Sequence, residues 1–210
     1  MNNMNAKGFT LIELLIVIGI IAILATVVIL TLNPAELLRQ SRDTTRFSDL
    51  STLNSAIALY LSDVAAASIG TSTATFCYTS LPTSTGAYGG GTLTLTNCAG
   101  RFTGGTPAIT NMRATTSRLV DGTGWLPINF NTISTGSPLP NLPADPVSPN
   151  SFGTNSTVTD DFYYAYGVGT NNTYEINTRI ESVKFASSSV NDGGNIPELY
   201  EVGTNPGLGL

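Results

Sequence analysis

From Phe9 to Leu32 the chain reads FTLIELLIVIGIIAILATVVILTL, an apolar run interrupted by one ionisable residue, Glu13. As a helix it extends about 36 Å, enough to cross the hydrocarbon of a bilayer. A secretory signal peptide needs an apolar core of only about 7 to 15 residues followed by a small-residue cleavage site. This run is longer, and its nearest candidate site, Ile23-Leu24-Ala25, puts isoleucine where a small side chain is wanted. A plain anchor fits poorly with the positive-inside rule, because Lys7 precedes the run while Arg39, Arg42 and Arg46 follow it. Glu13 is the telling residue. A carboxylate inside a span costs roughly 2.5 to 3.5 kcal/mol on insertion scales, so it normally marks a function or a specific partner. The plainer reading is a side chain near the membrane edge that reaches out to water.

The rest of the chain is short of charge. Only 11% of residues are charged, against about 25% in ordinary soluble domains. Thr, Ser, Asn and Gly take their place, which favours strands and turns over long soluble helices. The net charge of −5 gives no attraction to nucleic acid. With no histidine in the chain, a Ser-His-Asp triad, a Cys-His dyad and an imidazole zinc site are all excluded. No enzymatic constellation, cofactor motif or phosphate-binding Gly-x-x-x-x-Gly-Lys loop is present, and no catalytic or metal-binding residues are expected. Asp160, Asp161 and Asp192 are acidic but lack the spacing of a calcium loop. The two cysteines, Cys77 and Cys98, either close a loop of about twenty residues, stabilising by roughly 3 kcal/mol, or remain reduced core thiols.

Asn33-Pro34-Ala35-Glu36 reads as a second helix start, with Asn33 as the cap and Pro34 in the first position. Phe47, Leu50, Leu53, Ile57, Tyr60, Leu61 and Val64 then recur at three- and four-residue steps, an apolar stripe that needs a sheet to cover it. Arg39, Arg42, Asp43, Arg46 and Asp49 are expected on the opposing side, either as a solvated face or as charge matching between stacked subunits. The head is expected to follow Ala67. Leu93–Thr96, Phe162–Val168 and Tyr174–Ile180 carry strand patterns, and Gly169 with Asn171-Asn172 predicts a hairpin between the last two. Pro138, Pro140, Pro143, Pro146 and Pro149 mark a fixed loop. Asn155-Ser156-Thr157 and Asn171-Asn172-Thr173 fit the glycosylation pattern, which arises readily by chance in so Asn- and Thr-rich a chain.

Lys7-Gly8-Phe9-Thr10-Leu11-Ile12-Glu13-Leu14-Leu15 resembles the leader junction of type IV pilins and type II secretion pseudopilins. The resemblance implies that a prepilin peptidase cuts between Gly8 and Phe9 and methylates the new N-terminus, and it gives Glu13 the assembly role. Cutting there exposes an α-amine that needs a partner inside an apolar bundle, and the Glu13 carboxylate of a neighbouring subunit can pair with it. Such a pair selects an axial register more than it adds strength. Arg42-Asp43 with Arg46 and Asp49, Leu142-Pro143-Ala144-Asp145-Pro146, Tyr163-Tyr164-Ala165-Tyr166, Tyr174-Glu175-Ile176, Arg179-Ile180-Glu181-Ser182, Asp192-Gly193-Gly194 and Leu199-Tyr200-Glu201-Val202-Gly203 also look like bacterial pilin-like proteins.

The implied fold is α+β, the type IV pilin fold: a long N-terminal helix, half transmembrane and half amphipathic, on a small antiparallel sheet. The expected divisions are 1–8 leader, 9–33 membrane and filament-core helix, 34–67 amphipathic helix and 68–210 β-rich head. The implied function is that of a structural subunit of an extracellular filament, a homo-oligomer serving motility, adhesion or DNA uptake. Its partners would be the prepilin peptidase, the assembly platform and, before assembly, the inner membrane, with the N-terminus cytoplasmic. A minor pilin that binds through the Cys77–Cys98 loop and a secretion pseudopilin are the competing readings.

Overall fold

The computed structural model describes residues 8–70, 76–81, 101–102, 111–147 and 162–208. The chain divides into two compact units, Met1–Arg39 and Gln40–Leu210.

In the first unit, helix α1 runs Leu11–Leu32. Its sequence is apolar on every side, so no stripe singles out a face, and its large side chains from Leu11 to Ile29 are all exposed. Thr26 Oγ1 donates to the Ala22 carbonyl at 2.9 Å, which satisfies that hydroxyl within its own helix. Asn33, in the left-handed region at φ 39°, ψ 73°, closes α1. It also opens helix α2, Pro34–Asp63: its carbonyl accepts from the Glu36 and Leu37 amides at 3.0 and 3.3 Å, and its Oδ1 accepts from Glu36 N at 3.4 Å. Proline is tolerated just after it because the first helical amides have no partner within the helix.

In the second unit, the part of α2 that follows Gln40 lies on a five-stranded sheet of order β2-β1-β3-β4-β5. The strands are β1 Phe76–Thr79, β2 Asn111–Ala114, β3 Ala165–Val168, β4 Tyr174–Arg179 and β5 Leu199–Gly203. All neighbours are antiparallel except β1 and β2, which run parallel. A parallel pair needs a crossover rather than a tight turn; the connecting residues, with the expected strand Leu93–Thr96, lie outside the described residues. A short helix α3, Ala186–Val190, precedes β5. The β3–β4 turn is a 3₁₀ turn at Thr170–Asn172, with Asn171 and Asn172 both at φ 58°. Asparagine tolerates that left-handed backbone better than most residues, which is why the Asn-Asn pair marks a reversal.

Strand alternation sorts the sheet into two faces. Tyr78, Tyr166, Ile176 and Val202 stand in register on one side, which buries Leu50, Leu53, Ala56, Ile57 and Tyr60 of α2 together with Trp125, Leu126, Ile128 and Phe130. The sheet tyrosines keep their hydroxyls satisfied inside this core. Tyr166 donates to Ile69 O at 2.8 Å, Tyr164 to Asp49 Oδ2 at 2.7 Å and Tyr174 to Asn54 Oδ1 at 2.7 Å. The described part of the proline-rich segment, up to Val147, contains no regular element. It is fixed by Trp125 Nε1 donating to Pro143 O at 2.9 Å and by Leu142 N donating to Arg118 O at 2.8 Å.

Because Ile57 and Leu53 are fully buried against the sheet, Ile57→Ala is expected to lower the head's unfolding free energy by about 2 to 5 kcal/mol. Chemical denaturation followed by Trp125 fluorescence measures this; a loss well under 1 kcal/mol would mean the helix–sheet core is loose.

Candidate functional site

The leader junction and Glu13 fall in the first unit. Gly8 and Phe9 precede α1 and are exposed; nothing lies within 4 Å of where a Gly8 Cβ would stand. Thr10 is the cap of α1 and Glu13 its third residue, and together they form a capping box. Glu13 Oε2 accepts from Thr10 N and Thr10 Oγ1, both at 2.8 Å, while Glu13 N donates back to Thr10 Oγ1 at 3.3 Å. The pattern Thr-x-x-Glu ahead of an apolar run is the sequence signature of this motif, and it gives Glu13 a local task that the insertion-cost argument does not anticipate. Both bonds to the carboxylate fall on Oε2.

In the second unit, the charges of α2 are the main departure from expectation. Asp43 and Arg46 are neither solvated nor turned outward: both are fully buried. Arg46 Nε and Nη2 fork onto Asp145 at 2.6 and 2.9 Å, and Nη1 reaches Asp43 Oδ1 at 2.7 Å and Glu181 Oε1 at 2.6 Å. Arg42 makes a second fork onto Glu181. Asp43 accepts from the Glu181 and Ser182 amides, the latter at 2.7 Å, and the Phe162 ring lies 4.6 Å from the Arg46 guanidinium carbon. Asp49 also turns inward to Tyr164. The physical reason is that a planar guanidinium with five donors can satisfy three carboxylates in one dry space, which a solvated ladder of pairs cannot do. Only Arg39, paired loosely with Glu36 at 3.7 Å, keeps the expected surface character.

The outward side of this part of α2 carries hydroxyls instead. Ser41, Thr44, Thr45, Ser48, Ser51, Thr52 and Ser55 are exposed, and Thr44, Thr45, Thr52 and Ser55 donate back to the carbonyls four residues earlier. Such bonds satisfy the side chain within its own helix.

Burial works against the charge of Arg46, but its bonds to Asp145, Glu181 and Asp43 outweigh that and hold it protonated. Burial would likewise raise the Glu181 carboxyl; the hydrogen bonds from Arg42 and Arg46 more than offset it and hold it below its ordinary 4.5. The network joins α2 to the loop bearing Asp145 and to the segment after β4. Its signal in the sequence was the Arg-Asp-x-x-Arg spacing in a charge-poor chain, together with the Asp145 and Glu181 segments.

Cys77 is buried in β1, opposite Gly167; Cys98 lies outside the described residues, as do Pro149, Asn155, Asp160 and Asp161. Asp192 folds its own loop, accepting from Gly194 N at 2.8 Å and Glu201 N at 2.7 Å. Asn171 is exposed at the tip of the β3–β4 turn.

An exposed, apolar N-terminal helix followed by a second helix and a small, mostly antiparallel sheet is the α+β architecture of pilin-like proteins. The chain carries the prokaryotic N-terminal methylation motif, matched over residues 3–29, which is the prepilin motif of type IV pilins and pseudopilins. The motif implies processing by a prepilin peptidase, and an apolar helix near the N-terminus, Leu11–Ile29 with mean hydropathy 3.0 and no part of it buried, fits a membrane-anchored prepilin. Comparison of the chain with curated proteins and with solved structures gives no match.

Removing Arg46 strands Asp43, Asp145 and Glu181 without their shared cation. Arg46→Ala is therefore expected to cost about 3 to 5 kcal/mol of head stability, and Arg39→Ala about 1 kcal/mol or less; parallel denaturation curves compare them. The lowered Glu181 carboxyl gives stability that is present above its unfolded value of 4.5 and lost as pH falls through its folded value. Thermal melts are expected to fall below about pH 4.5 in the wild type, and to fall less steeply in a Glu181→Gln variant.

Proposed function

We propose that the chain is a structural subunit of an extracellular type IV pilus-like filament. The observation that carries this reading is the α1 surface: apolar all round, exposed from Leu11 to Ile29, and led by Gly8-Phe9 with one acid at Glu13. In water that surface is unstable, in a bilayer it is at home, and in a bundle of like helices it is buried again. Held first in the inner membrane with the N-terminus cytoplasmic, the precursor is cut between Gly8 and Phe9 and its new N-terminus is methylated. The mature helices then pack head-to-tail in an arrangement that does not close on itself, which generates a fibre. The assembly platform drives extension; the chain itself does no catalysis.

Glu13 has two duties in this scheme. Oε2 stays with Thr10 to hold the start of α1, while Oε1, which accepts no hydrogen bond among the described residues, pairs with the α-amine of Phe9 from a neighbouring subunit. The pair fixes axial register. In the head, we assign Cys77 and Cys98 to a disulfide; the burial of Cys77 and the absence of a free thiol among the described residues support it.

Electron microscopy of sheared cell material with mass spectrometry of the subunit tests the scheme as a whole. It should show fibres whose subunit starts at a methylated Phe9 and gains two hydrogens on reduction. Gly8→Ala is expected to leave the leader attached; a mature N-terminus at normal yield refutes the assignment of the cut. Glu13→Ala is expected to enter membranes normally while fibre yield drops on the order of tenfold, equivalent to about 1.4 kcal/mol in the assembly step. Abundant normal fibres from that variant would count against the pairing.

A further inference from the structure

The sheet face turned away from α2 is unlike the core face. Cys77, Gly167, Glu175 and Gly203 stand in register across it, beside a second row of Thr79, Ala165, Asn177 and Glu201. Glu175 and Glu201 are diagonal neighbours on β4 and β5, close enough in an antiparallel pair for long side chains to meet, and both are buried, at 0% and 1% exposure. Neither belongs to the Arg46 network.

Their hydrogen bonds lead to the C-terminal segment. Glu175 Oε2 accepts from Leu208 N at 2.7 Å and Oε1 from Asn177 Nδ2 at 2.8 Å. Glu201 Oε2 accepts from Ile196 N at 3.1 Å, whereas Glu201 Oε1 is buried and accepts no hydrogen bond among the described residues. Leu208 itself is buried with Cys77, Leu81, Phe102, Ala114, Tyr163 and Ala165. Gly194 packs so closely on Glu201 that a Cβ there would overlap its carboxylate, so the acid has no room to swing out on that side.

Among the described residues, the polar and charged groups facing the pair include Asn177 on β4, Asp192 before β5, the Asn195, Ile196 and Leu208 amides, and Arg101. The Arg101 carbonyl accepts from Asn177 Nδ2 at 2.9 Å, and its guanidinium stacks 4.0 Å over the Tyr163 ring. Two ionised carboxylates here would repel each other in a dry space and leave Glu201 Oε1 unsatisfied; one carboxylic proton on Glu175, donated to Glu201, removes both penalties.

We propose that Glu175 and Glu201 share one proton and act as a pH-set latch on the C-terminal segment, holding Thr204–Leu208 on the sheet while the proton is present and releasing it when the proton is lost. Burial first, and then the charge and hydrogen bond of Glu201, push the Glu175 carboxyl up to about 8, against the pull of Asn177 and of the Leu208 amide. Burial, with Asp192 adding to it, raises Glu201 as well. A carboxyl raised in the folded state favours the docked form at low pH, and that contribution is lost as pH rises through about 8. The latch thus responds in the sense opposite to the Arg46 network, whose Glu181 acts on the acid side.

Hydrogen exchange on the full chain in detergent micelles tests this, with protection referred at each pH to the intrinsic exchange rate. Wild-type protection at Leu208 is expected to fall about tenfold per pH unit above about pH 8, while α2 amides around Leu53 keep theirs. Glu201→Gln, which keeps the shape but not the second charge, is expected to stay protected over the same range. The latch is overturned if wild-type Leu208 protection is flat up to about pH 9.5, if α2 loses protection in parallel, or if Glu201→Gln releases the segment as the wild type does. Should that variant not fold, carbon-13 titration of the wild-type carboxyls decides: a Glu175 that titrates near its ordinary 4.5 ends the proposal.

Discussion

An apolar surface must be removed from water by something, and the described residues of the first unit leave that of α1 exposed. The helix has no polar stripe to face solvent, and its large apolar side chains from Leu11 to Ile29 are exposed. Surface of that kind is worth about 25 cal/mol for each Å² covered, so the state of the molecule is set by what covers it: lipid first, and in the proposed fibre other copies of the same helix. Neither setting supplies hydrogen bonds to the backbone, which is why the helix is continuous, Thr26 is back-bonded and the helix start is closed by Thr10 and Glu13.

The head solves a different problem with little charge to spend. One group of its buried charges gathers around Arg46, where one guanidinium serves three carboxylates from three parts of the chain. Buried pairs of this kind specify geometry more than they stabilise, since losing any one member leaves the others uncompensated. Here they define how the second half of α2 meets the Asp145 loop and the segment after β4. Moving the charges inward also leaves the outward side of α2 to small hydroxyl residues bonded to their own helix. A fibre contact made through that side would then depend on close approach rather than on salt-sensitive ion pairs.

Periodicity alone located the stripe from Leu50 to Tyr60, because a step of three or four residues has one helical solution and needs a covering sheet. The Tyr-x-Tyr and Tyr-x-Ile alternations found β3 and β4, and the Asn-Asn pair found the turn between them. Charge was read less well. Alternating signs at helical spacing suggested exposed pairs around Arg42 and Arg46, and spacing carries no information about a carboxylate on residue 145 or 181. The capping role of Glu13 is legible as Thr-x-x-Glu, a local pattern that the membrane cost of the acid does not reveal.

The sequence by itself determined the apolar run, the Gly8-Phe9 junction, the single acid at Glu13 and the two-faced second helix, since each is a local pattern whose chemistry does not depend on distant residues. Only the tertiary structure decided that Asp43 and Arg46 are buried, that β1 pairs in parallel with β2, and that Glu175 and Glu201 share one dry space against the C-terminal segment. Those facts depend on which strands become neighbours, and burial, which sets the cost of every charge, exists only once they have.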